Sequence, residues 1–189
     1  MTTTCPALLD HHVLPLAELF ALVLDGQLYR VGDSFAPTDI PDTPALRAHA
    51  FAALRPGSTV ADRGTAAWIH GTRSRPPARP QVCVDRARRG RIPPDFDAHQ
   101  HALRNGDVVE LDGVRVTAPL RTAADLIVTL PRFGTPEALE VRHLLHLGGA
   151  SPDALGAQLS RSRRHGAARA LTRLPVVERT ALPAPVSRR

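Results

Sequence analysis

Residues 106–131 read GDVVELDGVRVTAPLRTAADLIVTLP, and this stretch decides the fold. Residues 108–111 and 114–117 are two β-prone runs joined by Asp112-Gly113. An Asp-Gly pair supplies the positive φ angles of a two-residue turn, so the spacing predicts a β-hairpin. The hydrophobic period then changes. Leu120, Ala123, Ala124, Ile127 and Leu130 recur at helical spacing, Pro119 suits the first helical position, and Pro131 stops the run. Arg121 and Asp125 are four residues apart and share one face of that helix. Two readings of the pair are open. It is either an exposed ion pair worth about 0.2–0.5 kcal/mol, or a motif that ties helix to hairpin or meets a partner.

A second block lies upstream, VADRGTAAWIHG at residues 60–71: a capping residue, Asp62, then a short Ala-Ala helix closed by His70-Gly71. This block, followed by DGVRVT (112–117) and APLRTAADL (118–126), resembles the AbiEi-type antitoxins of type IV toxin–antitoxin systems. The resemblance spans residues 14–174. It implies a bacterial regulator whose N-terminal winged helix represses its own operon and whose C-terminal domain antagonises a nucleotidyltransferase-like toxin. Promoter DNA and that toxin are the implied partners. Asp62, Trp68, His70, Arg121 and Asp125 are then motif residues with partner or structural roles. For Trp68, the single tryptophan, the residue type itself favours a core anchor under the His-Gly turn.

Composition narrows the chemistry. A chain of 189 residues suits one modest domain or two small ones. No apolar run approaches the ~18–20 residues of a membrane span, and no basic segment precedes an apolar one at the N-terminus, so a cytoplasmic location is expected. Cys5 and Cys83 are isolated thiols, which argues against a disulfide framework or a zinc site. All 24 basic residues are arginine. Schiff-base chemistry, a phosphate-loop lysine and the lysine of restriction-type nuclease cores are therefore excluded. His99 and His101, and separately His143 and His146, fall short of the three or four converging ligands a metal needs. Asp95, Asp97, Asp107 and Glu110 lie near the expected sheet without forming a recognisable metal-nuclease set. No catalytic residue, cofactor or metal is expected.

Taken in order, residues 14–25 form an apolar helix with Gly26 at its end, and an element apolar nearly all round is expected to be buried. A short hairpin follows at 27–36. Against the family, these are the last helix and the wing of a winged helix, with Tyr29 and Arg30 at the start of the wing. The helix carries only Glu18 and Asp25 as charged groups, a poor surface for reading base edges. Thr43 and Pro44 open a helix to about Leu54, residues 81–84 and 96–102 are strand candidates, and Thr135 caps a helix starting at Pro136. Further helices follow at 152–160 and 166–174. The expected fold is α+β: a partial winged helix-turn-helix at 1–41, a small mixed sheet flanked by helices at 42–174, and a flexible tail at 175–189.

The net charge of +6 is unevenly spread. Residues 1–60 hold Arg30, Arg47 and Arg55 against six acids, whereas residues 63–91 hold eight arginines against Asp85 alone. Duplex affinity rests on phosphate neutralisation. On charge, nucleic acid is expected at Arg73, Arg75, Arg79, Arg86, Arg88, Arg89 and Arg91, centred on the last four. On the family resemblance, it is expected at Tyr29 and Arg30. Alternatives to the regulator are a nuclease-related enzyme lacking its C-terminal catalytic domain, because some relatives carry a restriction-type nuclease there, and an orphan non-catalytic binding module. Oligomeric state is not readable from the sequence.

Overall fold

The hairpin forms as its turn residues dictate. Asp112 and Gly113 take φ of 46° and 79°, and Val109 pairs with Val116 across antiparallel strands β6 (Val108–Leu111) and β7 (Val114–Thr117). Helix α4 (Pro119–Thr129) follows with Pro119 in its first turn. The structure is a computed structural model and describes residues 8–54, 59–85, 94–162 and 165–183.

Three further strands complete a mixed sheet: β3 (Val60–Ala61), β4 (Gln81–Asp85) and β5 (Asp97–His101), in the order β5-β4-β3-β7-β6. The β3–β7 and β4–β5 pairs are parallel, and the β3–β4 pair is antiparallel. Helices α2 (Pro44–Ala52) and α3 (Arg63–Ile69) share one core with the sheet. It contains Leu46, Phe51, Ala61, Trp68, Ile69, Val82, Val114 and Val116. A second core joins α4 to α5 (Thr135–Leu147), α6 (Pro152–Ser160) and α7 (Ala167–Arg179) through Ile127, Val141, Leu144, Leu155, Leu159 and Val177. The fold class is α+β, as expected.

The N-terminal part is helix α1 (Leu16–Leu24) followed by the antiparallel hairpin β1 (Leu28–Val31) and β2 (Ser34–Pro37). Val31 and Ala36 pack into the sheet core, so this hairpin is welded to the rest of the chain. The expectation that α1 is buried is corrected. Only Leu19 is buried, while Leu16, Phe20 and Leu24 are 51%, 39% and 88% exposed. A two-stranded hairpin covers only one side of a helix, and an all-round apolar sequence does not reveal how many sides have a partner. No described helix is long and apolar enough to cross a membrane.

Two helix boundaries also move. Glu137 accepts the N–H of Gly134 at 2.8 Å, which makes Gly134 the cap of α5 and Thr135 its first residue. Helix α7 continues through Pro175 to Arg179 instead of stopping at Leu174, because Val177 beyond the proline is buried in the helical core. Arg169 and Arg173 of α7 donate to the carbonyls of Val128, Ile127 and Leu130. Cations thus sit on the orphan carbonyls at the end of α4, where the helix dipole favours them.

Candidate functional site

The two motif blocks meet at Thr117, the last residue of the hairpin. His70, at the end of α3, places Nε2 2.8 Å from the Thr117 carbonyl. A carbonyl only accepts, so Nε2 carries the proton in this contact. Burial holds the His70 pKa below its ordinary value, and the imidazole is neutral at pH 7. Thr122 of α4 brings its hydroxyl 2.9 Å from the same carbonyl. His-Gly and T-A-P-L-R-T are therefore two sides of one joint between α3, β7 and α4.

Arg121 and Asp125 are far from an exposed pair. Arg121 is 7% and Asp125 1% exposed. Arg121 Nε donates to both carboxylate oxygens of Asp125 at 3.0 Å, and its Nη1 reaches Asp107 at 2.6 Å. Asp107 also accepts the Arg104 N–H, so the turn before β6 is fastened to α4. The open question about this pair closes in favour of the buried tie. Asp107 was not singled out in the sequence as a member, since nothing local marks it.

Asp62 occupies the cap position of α3, but its side chain makes no capping bond, which corrects the expected role. Arg63 takes a left-handed φ of 45°, and the Asp62 carboxylate accepts from the Arg63 guanidinium at 3.2 Å instead. Gln81 of β4 does the capping: its Oε1 accepts the Gly64 N–H at 2.7 Å. Gly64 lets these groups approach closely, because a Cβ would lie 2.6 Å from Arg73 Nη1 and 2.9 Å from that oxygen and would displace both side chains. Asp62 is fully buried, and its Oδ2 has no hydrogen-bond partner among the described residues. Burial raises its pKa to about 7; the Arg63 charge opposes this and Asp125 adds to it.

Asp97 pairs with Arg63 at 3.1 Å and Asp107 with Arg121, so the acids near the sheet serve separate arginines. Among the described residues no group of three His, Cys, Asp or Glu side chains could hold a metal. Cys83 is buried, and its thiol is pushed up to about 12, chiefly by that burial.

The nucleic-acid candidates separate once their contacts are seen. Arg73 is committed to Glu140 of α5 by two bonds of 2.9 Å. Arg79 donates to the carbonyls of Pro94 and Phe96. Tyr29 donates its hydroxyl to the Ile40 carbonyl at 2.9 Å, which ties the β1–β2 hairpin to the segment before α2. Arg75 is exposed and has no side-chain partner among the described residues. Arg30 is about half exposed, over the Phe20 ring and only 3.9 Å from Asp33. Arg86, Arg88, Arg89 and Arg91 lie outside the described residues. Arg73→Ala is expected to lower stability by about 1–2 kcal/mol, since it removes a charged two-bond contact between partly buried groups. A urea midpoint identical to wild type would instead return Arg73 to the pool of available surface cations.

Arg30 and Arg75 line the same cleft, of about 540 Å³, between the β1–β2 hairpin, α2 and the Arg/Pro loop. Trp68 forms part of its wall and is otherwise the core anchor expected, 4% exposed. A Cβ on Gly32 would touch its ring at 3.2 Å, so the β1–β2 turn packs directly on it. Arg47 sets the geometry. It grips Asp42 with bonds of 2.7 and 2.6 Å and donates to the carbonyls of Trp68 and Arg73 at 2.7 and 3.0 Å. Two of the partners of Arg47, the Trp68 and Arg73 carbonyls, lie 21 and 26 residues along the chain, so periodicity carried no sign of its importance.

The sequence profile of the AbiEi antitoxin C-terminal domain matches residues 59–176, which contain both motif blocks. The chain belongs to the AbiEi antitoxin family. The Rv2827c protein from Mycobacterium tuberculosis, known from a crystal structure, is similar to this AbiEi family member at 16% identity. The similarity covers 93% of this chain and 73% of that one, with a TM-score of 0.47. No curated protein matches significantly.

Proposed function

We propose that this AbiEi family member is a non-enzymatic antitoxin and transcriptional regulator, acting in the cytoplasm on promoter DNA and a nucleotidyltransferase-like toxin. The observation that carries the reading is the family match over 59–176. The buried joint at Thr117 supports it, because it ties the two motif blocks of the matched span to one another. Co-expression with a nucleotidyltransferase-like protein encoded beside it should restore growth that the toxin alone arrests. Failure both to restore growth and to co-purify would remove the antitoxin half.

For DNA, the wing and the Arg/Pro loop act together. Arg30 and Arg75 flank one cleft from opposite sides, so a duplex backbone laid across it meets cations from both regions. The basic stretch at 86–91 extends the same field in sequence. Each lost phosphate contact should flatten the slope of log affinity against log salt by about 0.9. The variant Arg30→Ala/Arg75→Ala is expected to lose about two such contacts, while Arg73→Ala keeps the wild-type slope. An unchanged slope in the double variant would place DNA elsewhere.

A further inference from the structure

We propose that a second cleft, remote in sequence from the wing, binds a phosphate-bearing nucleotide unit. It lies between the loop joining β5 to β6, helix α4 and the end of α6, and encloses about 700 Å³. That is within the range of small-molecule sites and large enough for a base, a ribose and a phosphate.

Three kinds of group converge there. The first is charge. Arg104, Arg121 and Arg161 line the cleft against a single lining carboxylate, Asp107. Arg104 and Arg161 are exposed, and neither guanidinium has an ion-pair or hydrogen-bond partner among the described residues. Arg121 differs, because it is held rigidly. Its Nε lies on Asp125 and its Nη1 on Asp107, while Nη2 takes no hydrogen bond among the described residues. The cleft therefore holds two exposed guanidinium groups and, in its wall, a fixed one whose charge Asp107 and Asp125 already balance but whose Nη2 is left to donate. Guanidinium groups suit the planar, two-bond recognition of phosphate oxygens, and a pre-positioned one loses little freedom on binding.

The second kind is amide. Gln100, Asn105 and Gln158 line the cleft with side chains that make no hydrogen bond among the described residues. Each offers donors and an acceptor, the pattern that base edges and ribose hydroxyls require. The third is an apolar floor of Leu120, Ala124, Val128 and Leu159, on which a base can lie. Bare phosphate would use only the arginines, and a peptide carboxylate would leave the amides and floor idle. A nucleotide engages all three.

This inference does not rest on the antitoxin reading, and its arginines are not those assigned to promoter DNA. The test is calorimetry on the full chain with uridine and adenosine mono- and triphosphates, the unphosphorylated nucleosides, inorganic phosphate, a glutamate-rich peptide, and short RNA with or without a 5′-phosphate. Mononucleotides or 5′-phosphorylated strands should bind, and which of them does identifies the source of the nucleotide. Arg104→Ala and Arg161→Ala should each weaken binding about tenfold or more. Gln158→Ala should weaken nucleotide binding, and Arg30→Ala/Arg75→Ala should leave it unchanged. The proposal is overturned by any of four results: no saturable binding of a phosphorylated probe, wild-type affinity in the Arg104/Arg161 double variant, nucleosides or inorganic phosphate binding as tightly as nucleotides, or the peptide binding equally well with the same sensitivity.

Discussion

Asp125→Ala should destabilise the protein by about 2–4 kcal/mol, a large fraction of the 5–15 kcal/mol typical of a domain. The carboxylate is 1% exposed and takes two bonds from a guanidinium that is itself buried. Removing it leaves the Arg121 charge with Asp107 as its one remaining ion-pair partner among the described residues. A buried guanidinium whose Nε loses its acceptor costs far more than the lost attraction between two exposed groups. The same substitution in an exposed helical pair would cost a few tenths of a kcal/mol. Some relief is expected, since Asp125 raises the pKa of buried Asp62 and that repulsion goes with it. The urea midpoint decides the matter: a shift equivalent to less than about 1 kcal/mol would mean that the pair is solvated in solution. Replacing both residues together with apolar ones of similar size should restore only part of the loss, because Asp107 is then left without its Arg121 partner.

What the sequence showed and what it hid divide along the range of the interactions. The hairpin, Pro119 at the start of α4, Thr43 as a cap, and the i, i+4 spacing of Arg121 and Asp125 are all settled within a few residues. Burial of that pair is not, because Asp107 reaches it only after the hairpin has folded. Arg73 illustrates the same limit. Within its own stretch it is one of a run of arginines, yet its partner Glu140 is 67 residues away. A sequence cluster of cations is thus no count of free cations. The opposite also occurs: Arg30 and Arg75, which belonged to rival expectations, line one cleft. The apolar helix α1 fails for a related reason, since hydrophobicity shows that a face can be buried but not that anything covers it. Asp62 was read as a cap on local grounds. The left-handed backbone of Arg63 and the arrival of Gln81 reassign its carboxylate to a dry interior position.

That position gives the protein a specific pH dependence. Asp62 titrates near 7 when folded, against an ordinary value of 3.8, so between about pH 4 and 7 the folded state holds a proton that the unfolded chain has lost. Stability therefore falls as pH rises through this window and levels off above it. From pH 5 to 8 the decline attributable to Asp62 is on the order of 2–3 kcal/mol. Two neighbours act in the opposite sense. The lowered pKa of His70 removes stability as pH falls below its ordinary 6.5. Asp97, which burial pushes up but Arg63 brings below its ordinary value, does so below 3.8. Cys83, raised to about 12, stays a thiol throughout. Asp62→Asn isolates the effect, because asparagine has the shape of the protonated acid and cannot ionise. At pH 5 the variant should lie close to wild type, short only of the Arg63 contact. At pH 8 its stability relative to wild type should be higher by about 2–3 kcal/mol than at pH 5. Urea unfolding of both proteins across that range measures the difference directly. If the difference is flat, Asp62 is already ionised in the fold at pH 5, and the charge of Arg63 outweighs the cost of its burial.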